Sequence, residues 1–224
     1  MNDFLDLSSL PSAQCQLLLY TRYPERGRAK TRLIPALGVE GAMQMHRCLA
    51  EWAIAQVRSL QTNREIPAII YFTGATREMM QHWLGSDLVY RTQGSGDLGE
   101  RLHTGFGQGF AAGMSRIAAM GTDCPSLTPE RLQEAFAALG DRDLVLGPAR
   151  DGGYYLIGLS RAVPELFQGI DWGTSEVFAQ TMAIANRLGL SYHHLPMLPD
   201  IDRPEDLQYL PPQLQAEANS SDHE

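Results

Sequence analysis

Short apolar runs of strand length alternate along this chain with stretches of helical periodicity, and that alternation narrows the fold more than any other feature. Runs rich in Leu, Ile, Val and Tyr fall at 16–20, 68–72, 88–91, 115–120, 144–146, 154–159 and 191–195. Between most of them, 39–60, 77–84, 99–112, 129–139 and 177–188 carry apolar residues at helical spacing. The pattern predicts βαβ units, and so a mostly parallel open α/β sheet with helices on both faces. Such sheets bind ligands at the carboxyl ends of their strands, so the residues that follow each run are the first to inspect. At 224 residues the chain has room for one sizeable domain, expected over 13–210, with flexible ends at 1–12 and 211–224.

Composition excludes several function classes. The formal charge of -8 repels polyanions, which argues against nucleic acid or an anionic membrane surface as partner. The acidic first residues do not read as a signal peptide, and no apolar run has the length of a membrane span. Cys15, Cys48 and Cys124 are odd in number and widely spaced, which suggests neither a disulfide framework nor a zinc knuckle and fits a reducing cytoplasm.

Against that acidic background, the segment after the first strand stands out. Arg22, Arg26, Arg28, Lys30 and Arg32 place five of the eighteen basic residues within eleven positions. Pro24 and Gly27 keep the segment from becoming a regular helix, so backbone N–H groups stay free to join Arg22, Lys30 and Arg32 around a phosphate. A solvated charged loop is the plain alternative, but the position at the end of a first strand favours the phosphate. The spacing is not that of a P-loop, because the earlier glycine of that motif is missing.

Aspartates supply the complementary chemistry. Asp123, in Gly121-Thr122-Asp123-Cys124-Pro125-Ser126, falls where the fourth run ends. A hard cation such as Mg²⁺ or Mn²⁺ needs only one or two carboxylates beside nucleotide phosphates, so Asp123 is the first metal candidate. It could instead cap the helix that begins near Pro129, although Thr128 can serve there equally well. Asp200 and Asp202 flank Ile201, and in an extended stretch both would point the same way. Asp202 is the second metal candidate, with helix capping before Pro204 as the competing use.

Two glycine motifs remain. Gly94-Ser95-Gly96-Asp97-Leu98-Gly99 matches G-x-G-x-x-G and would suggest a nicotinamide or flavin enzyme. That fingerprint belongs in the first βα turn, yet here two strands, a helix and the basic loop precede it. Gly96 and Asp97 are read instead as a close backbone approach to a nucleoside, the alternative being a simple turn and helix start. Asp151-Gly152-Gly153 offers a candidate base, Asp151, beside two glycines that would admit an acceptor, or else a tight turn. Trp172 would stack on the acceptor or pack in the core.

Taken together and in order, these motifs resemble the small bacterial glycosyltransferases assigned to arsenosugar biosynthesis. The matching pieces are Arg-Tyr-Pro-x-x-Gly-x-x-Lys-Thr-Arg-Leu, Gly-Asp-Leu-Gly-Glu-Arg, Gly-Thr-Asp-Cys-Pro-Ser-Leu, Asp-Gly-Gly-Tyr-Tyr-Leu-Ile-Gly-Leu, Trp-Gly-Thr-Ser and Asp-Ile-Asp-Arg-Pro-Glu-Asp-Leu, spanning 17–210. The resemblance implies a GT-A-like, Rossmann-like single domain, related to the guanylyltransferases of molybdenum cofactor and phospholactate. It implies a nucleotide-sugar donor, Mg²⁺ or Mn²⁺, and a small-molecule acceptor. It sets Arg22, Lys30 and Arg32 on the phosphate loop, Asp97 near the nucleoside, Asp123 on the metal aspartate and Asp202 on the C-terminal acidic motif; in the transfer it implies, Asp151 is the candidate base. The nearest alternative is nucleotidyl transfer from a nucleoside triphosphate with pyrophosphate release.

Overall fold

The computed structural model describes residues 14–64 and 66–215. The flexible start expected over 1–12 and most of the tail expected over 211–224 lie outside the described residues. Seven strands form one sheet: β1 (Cys15–Arg22), β2 (Ala68–Thr73), β3 (Val89–Thr92), β4 (Arg116–Met120), β5 (Leu144–Pro148), β6 (Tyr154–Leu159) and β7 (Tyr192–His194). Their spatial order is β3-β2-β1-β4-β6-β5-β7. All neighbouring pairs are parallel except those of β6, which runs antiparallel to both β4 and β5. The expected mostly parallel α/β sheet is therefore present.

Helices α1 (Ile34–Arg64), α2 (Arg77–Leu84), α3 (Leu98–Ala111), α4 (Pro129–Ala138) and α5 (Val177–Arg187) cover both faces. The central strands are apolar throughout because both faces are buried. In β1, Leu17 and Leu19 pack with Ile54, Met80 and Phe136 of α1, α2 and α4. Leu18 and Tyr20 turn the other way, toward Phe106 of α3 and Ile184 of α5. Helix α1 is broken at Gly38, whose φ of 68° is non-helical, so its regular part begins where the periodicity predicts. The local start signals are ordinary ones. Thr76 caps α2, and Thr128 caps α4 with Pro129 in its first turn.

A third, smaller cluster matters more for the site. Leu33, Ala42, Met45 and Leu49 at the start of α1 enclose Ile201, Leu210 and Leu214 from the end of the chain. This contact folds the last described segment back over the first helix. Leu214 is 2% exposed, so packed structure runs past the boundary expected at 210.

Asp143 ties the far side of the sheet together. Its Oδ2 accepts from Ser191 N and Oγ, both at 2.9 Å, and its Oδ1 accepts from Arg161 Nε at 2.8 Å. The Arg161 guanidinium holds this carboxyl below the usual range. Asp143→Ala should therefore cost about 1 kcal/mol at neutral pH, the site being partly exposed. Because the folded-state value is depressed, the wild-type advantage is full above the unfolded value near about 3.9 and fades as pH falls through the lower folded value. Urea midpoints of the two proteins at pH 7 and pH 3 check this, and equal midpoints at pH 7 would refute it.

Candidate functional site

The strand order fixes where a ligand belongs. The chain builds outward from β1 through β2 to β3, then returns to place β4 on the other side of β1. The crevice between the carboxyl ends of β1 and β4 is thus the topological switch point. The basic segment leaves β1 there, and Gly121 to Asp123 leave β4 there.

Lys30 occupies this junction. It is the one non-glycine with positive φ among the described residues, at φ 49° and ψ 42°. A left-handed lysine is strained and persists only where surrounding contacts hold it. Its side chain is 4% exposed, and Nζ lies 2.9 Å from Asp123 Oδ1 and 3.8 Å from Asp202 Oδ1. The same Nζ donates to the Ile201 carbonyl. Ile201 N in turn donates to the Asp123 carbonyl at 2.8 Å. Burial alone would raise the Asp123 carboxyl, but the adjacent Lys30 ammonium overrides burial and holds it below the ordinary range. The side chain of Asp123 remains half-exposed.

Asp123 and Asp202 are both released from capping. Thr128 takes the cap of α4, accepting from Arg131 N. Before the 3₁₀ turn at Pro204–Tyr209, Asp206 accepts from Asp202 N at 3.1 Å and Arg203 N at 2.7 Å, which leaves the Asp202 carboxylate for Arg32 and Lys30. Helix α1 adds a residue that the sequence analysis does not mark. His46 is buried, which lowers its pKa, and its Nε2 donates to the Arg22 carbonyl at 2.9 Å. No spacing signal marks it, because its partner is a backbone atom of a distant strand end.

A cavity of about 310 Å³ opens beside the junction, lined by Arg32, Asp123, Asp151, Gly153, Trp172 and Asp200 among others. A second, of about 350 Å³, shares Arg32, Asp151 and Asp200 with it and adds Arg150, Asp202 and Arg203. Asp151 and Asp200 belong to both. Burial, and after it the charge of Asp151, pushes the Asp200 carboxyl up to about 6. Trp172 walls the first cavity, edge-on to Tyr154 with ring centroids 6.3 Å apart, while its indole rests on the start of α3 at Gly99. Trp172 thus packs against the scaffold and also lines the cavity.

Several expected site residues serve the scaffold instead. Arg22 is exposed and donates to the Arg28 carbonyl, bracing the basic loop rather than lining either cavity. Asp97 caps α3, accepting from Glu100 N at 2.9 Å, while Glu100 returns a bond to Asp97 N at 3.0 Å. Gly96, at φ 92°, is required by that box, since a Cβ there would meet the Glu100 carboxylate. The loop still reaches the crevice: Gln93 Nε2 donates to the Thr21 and Tyr71 carbonyls at 2.8 and 3.1 Å, spanning β1 and β2. Gly152 is likewise a packing residue, with φ 90° and a Cβ position 2.2 Å from the Ser175 carbonyl. Asp202, expected on the metal, is the counter-ion of Arg32 and Lys30 and does not line the first cavity; Asp200 does.

The donor set fits a divalent cation. Asp123, Asp151 and Asp200 line one cavity, and a cation there would favour the ionised form of Asp200, which burial first and the charge of Asp151 second oppose. Among the described residues, no three His, Cys, Asp or Glu side chains are grouped as a metal cage.

Comparison with known proteins fits this geometry. A model of the family DUF2064, uncharacterized proteins conserved in bacteria, matches residues 56–174. The chain belongs to that family. The matched DUF2064 segment carries Asp97, Asp123, Asp151 and Trp172, whereas the basic loop and Asp200 lie outside it. Among solved structures, a candidate nucleotide-diphospho-sugar transferase from Desulfovibrio desulfuricans G20 superposes with a TM-score of 0.85 at 29% identity, over 92% of this chain and 96% of that one. The 4-diphosphocytidyl-2C-methyl-D-erythritol synthase of Anaerococcus prevotii gives 0.59 at 13% identity, over 90% and 98%. Glucosyl-3-phosphoglycerate synthase of Mycobacterium tuberculosis, in complex with Mn²⁺, UDP and phosphoglyceric acid, gives 0.52 at 14%, over 88% and 73%. These last two share the fold alone. A comparison with curated proteins finds no match. The likenesses support a transferase-class enzyme, and among the described residues no helix is long and apolar enough to cross a membrane.

Gly152→Ala should lower stability by about 2 kcal/mol or more through strain and backbone collision. Thermal unfolding checks this, and a variant with wild-type Tm would restore Gly152 as a ligand-approach position.

Proposed function

We propose that this protein is a metal-dependent glycosyltransferase that moves a sugar from a nucleotide-diphosphate-sugar donor to a small hydroxyl acceptor. The observation that carries the reading is the convergence of Lys30 with Asp123 at the switch point, at the edge of an aspartate- and tryptophan-lined cavity. Lys30 and Arg32 would take the donor diphosphate, the fork of Arg32 suiting two phosphate oxygens. Asp123 and Asp200 would hold Mg²⁺ or Mn²⁺, with donor phosphates completing its oxygen shell. Bound there, the cation supplies Lewis-acid stabilisation of charge on the departing diphosphate.

The chain's own groups do the rest. Trp172 and Gly153 both line the cavity, where the indole would pack against the sugar and the glycine would leave room beside it. Asp151 Oδ1 accepts from Gly153 N at 2.8 Å, which fixes the carboxylate at the boundary of the two cavities. From there its other oxygen would take the proton of the acceptor hydroxyl as that oxygen bonds to the anomeric carbon and the bond to the diphosphate breaks. Lys30 and Arg32 stabilise the negative charge left on the nucleoside diphosphate.

Asp123→Asn and Lys30→Met should each reduce kcat with a UDP- or GDP-sugar by roughly a hundredfold or more. Asp123→Asn should also lose the rise in Tm that Mn²⁺ with nucleoside diphosphate gives the wild type. Product analysis decides the reaction: release of nucleoside diphosphate supports glycosyl transfer, whereas pyrophosphate from a nucleoside triphosphate would mean nucleotidyl transfer in the same cavity.

A further inference from the structure

The second cavity is built differently from the first. Its arginines come from three places in the chain: Arg32 from the basic segment, Arg150 from the end of β5, and Arg203 from the cap of the last 3₁₀ turn. Arg32 is neutralised by Asp202. Asp206, in the same cavity, turns one carboxylate oxygen, Oδ2, to the backbone N–H groups of Asp202 and Arg203. Arg150 and Arg203 make no ion pair within 4.0 Å among the described residues, despite the aspartates around them.

Arg150 is nevertheless held in place. Its guanidinium lies 4.6 Å above the ring of Tyr209, in the same 3₁₀ turn that Arg203 begins. Its backbone N donates to the Leu198 carbonyl, and an Ala149–Leu198 bridge joins the two segments. A guanidinium stacked on an aromatic face keeps its in-plane N–H donors for another group. An arginine oriented by a ring but without a counter-ion, lining a cavity with a second arginine that also lacks one, is suited to a planar or tetrahedral oxyanion.

We propose that Arg150 and Arg203 bind an anionic group of the acceptor, so that the enzyme selects a hydroxyl compound bearing a phosphate monoester or carboxylate. This rests on the glycosyl-transfer reading for the word acceptor, but the oxyanion site itself stands on the geometry. Because Asp151 borders both cavities, an acceptor anchored by its anion in the second would present its hydroxyl toward the first. Neutral hydroxyl compounds of the same carbon skeleton would be poor acceptors.

Titration calorimetry on the full chain tests this with inorganic phosphate and with acetate, for wild type, Arg150→Gln, Arg150→Lys and Arg203→Gln, after circular dichroism shows each is folded. Binding of either anion to the wild type, weakened about tenfold in Arg150→Gln and Arg203→Gln and less in Arg150→Lys, supports the site, and the preferred anion identifies its chemistry. A parallel titration with UDP and Mn²⁺ should be unchanged in these variants. If UDP does not bind but the arginine-dependent anion does, the donor reading fails and the anion site survives. The proposal is overturned if neither anion binds, or if binding persists in both glutamine variants and disappears only in Lys30→Met.

Discussion

The ammonium of Lys30 joins three parts of the chain that are far apart in sequence. It meets the Asp123 carboxylate from the end of β4, the Ile201 carbonyl and the Asp202 carboxylate from the last segment, and it does so from the loop that follows β1. A nearly buried amine in a left-handed backbone position is costly to hold. What offsets that cost is packing nearby. Ile201 is fully buried among Leu33, Met45 and Leu49, a contribution of about 1.5–3 kcal/mol for a side chain of its size. The apolar contact holds the C-terminal segment against α1, and the backbone of Ile201 then faces Lys30 and Asp123. Charge arrangement here follows from apolar packing.

The same arrangement separates two kinds of aspartate. Asp202 and Asp206 have partners within the fold and serve the scaffold. Asp123, Asp151 and Asp200 line one cavity, where burial and the charge of Asp151 raise the Asp200 carboxyl, a condition that a bound cation would relieve. Residues carrying identical chemistry thus divide by what the backbone around them demands. Among the arginines, Arg22 braces the basic loop, Arg32 pairs with Asp202 while lining both cavities, and Arg150 is oriented by an aromatic ring.

Fold and element positions were legible in the sequence because strand and helix periodicities are local properties. The runs at 16–20, 68–72 and 154–159 coincide with β1, β2 and β6 to within about two residues, since each is apolar enough to be buried whichever neighbours it acquires. The site was legible in part. Lys30, Asp123 and Asp151 were singled out because strand ends in α/β sheets carry function, and the structure sets Lys30 against Asp123 and lines one cavity with Asp123 and Asp151. Asp97, Gly96 and Gly152 were misread because a capping box and a close backbone approach use the same residue types as a ligand site. His46 was missed because a histidine that bonds a remote carbonyl leaves no pattern in the chain.

By itself the sequence determined which residues could carry charge at strand ends, the alternation that commits the chain to a parallel sheet, and the concentration of cations after the first strand. These depend only on neighbours along the chain. Tertiary structure alone decided that β6 runs antiparallel, that Asp206 rather than Asp202 caps the last turn, and that Arg150 and Arg203 face one cavity. The strand direction and the shared cavity are set by contacts between segments distant in sequence, as Lys30 and Ile201 lie 171 positions apart, and the cap, though local, falls to Asp206 because Asp202 is held by Arg32 and Lys30.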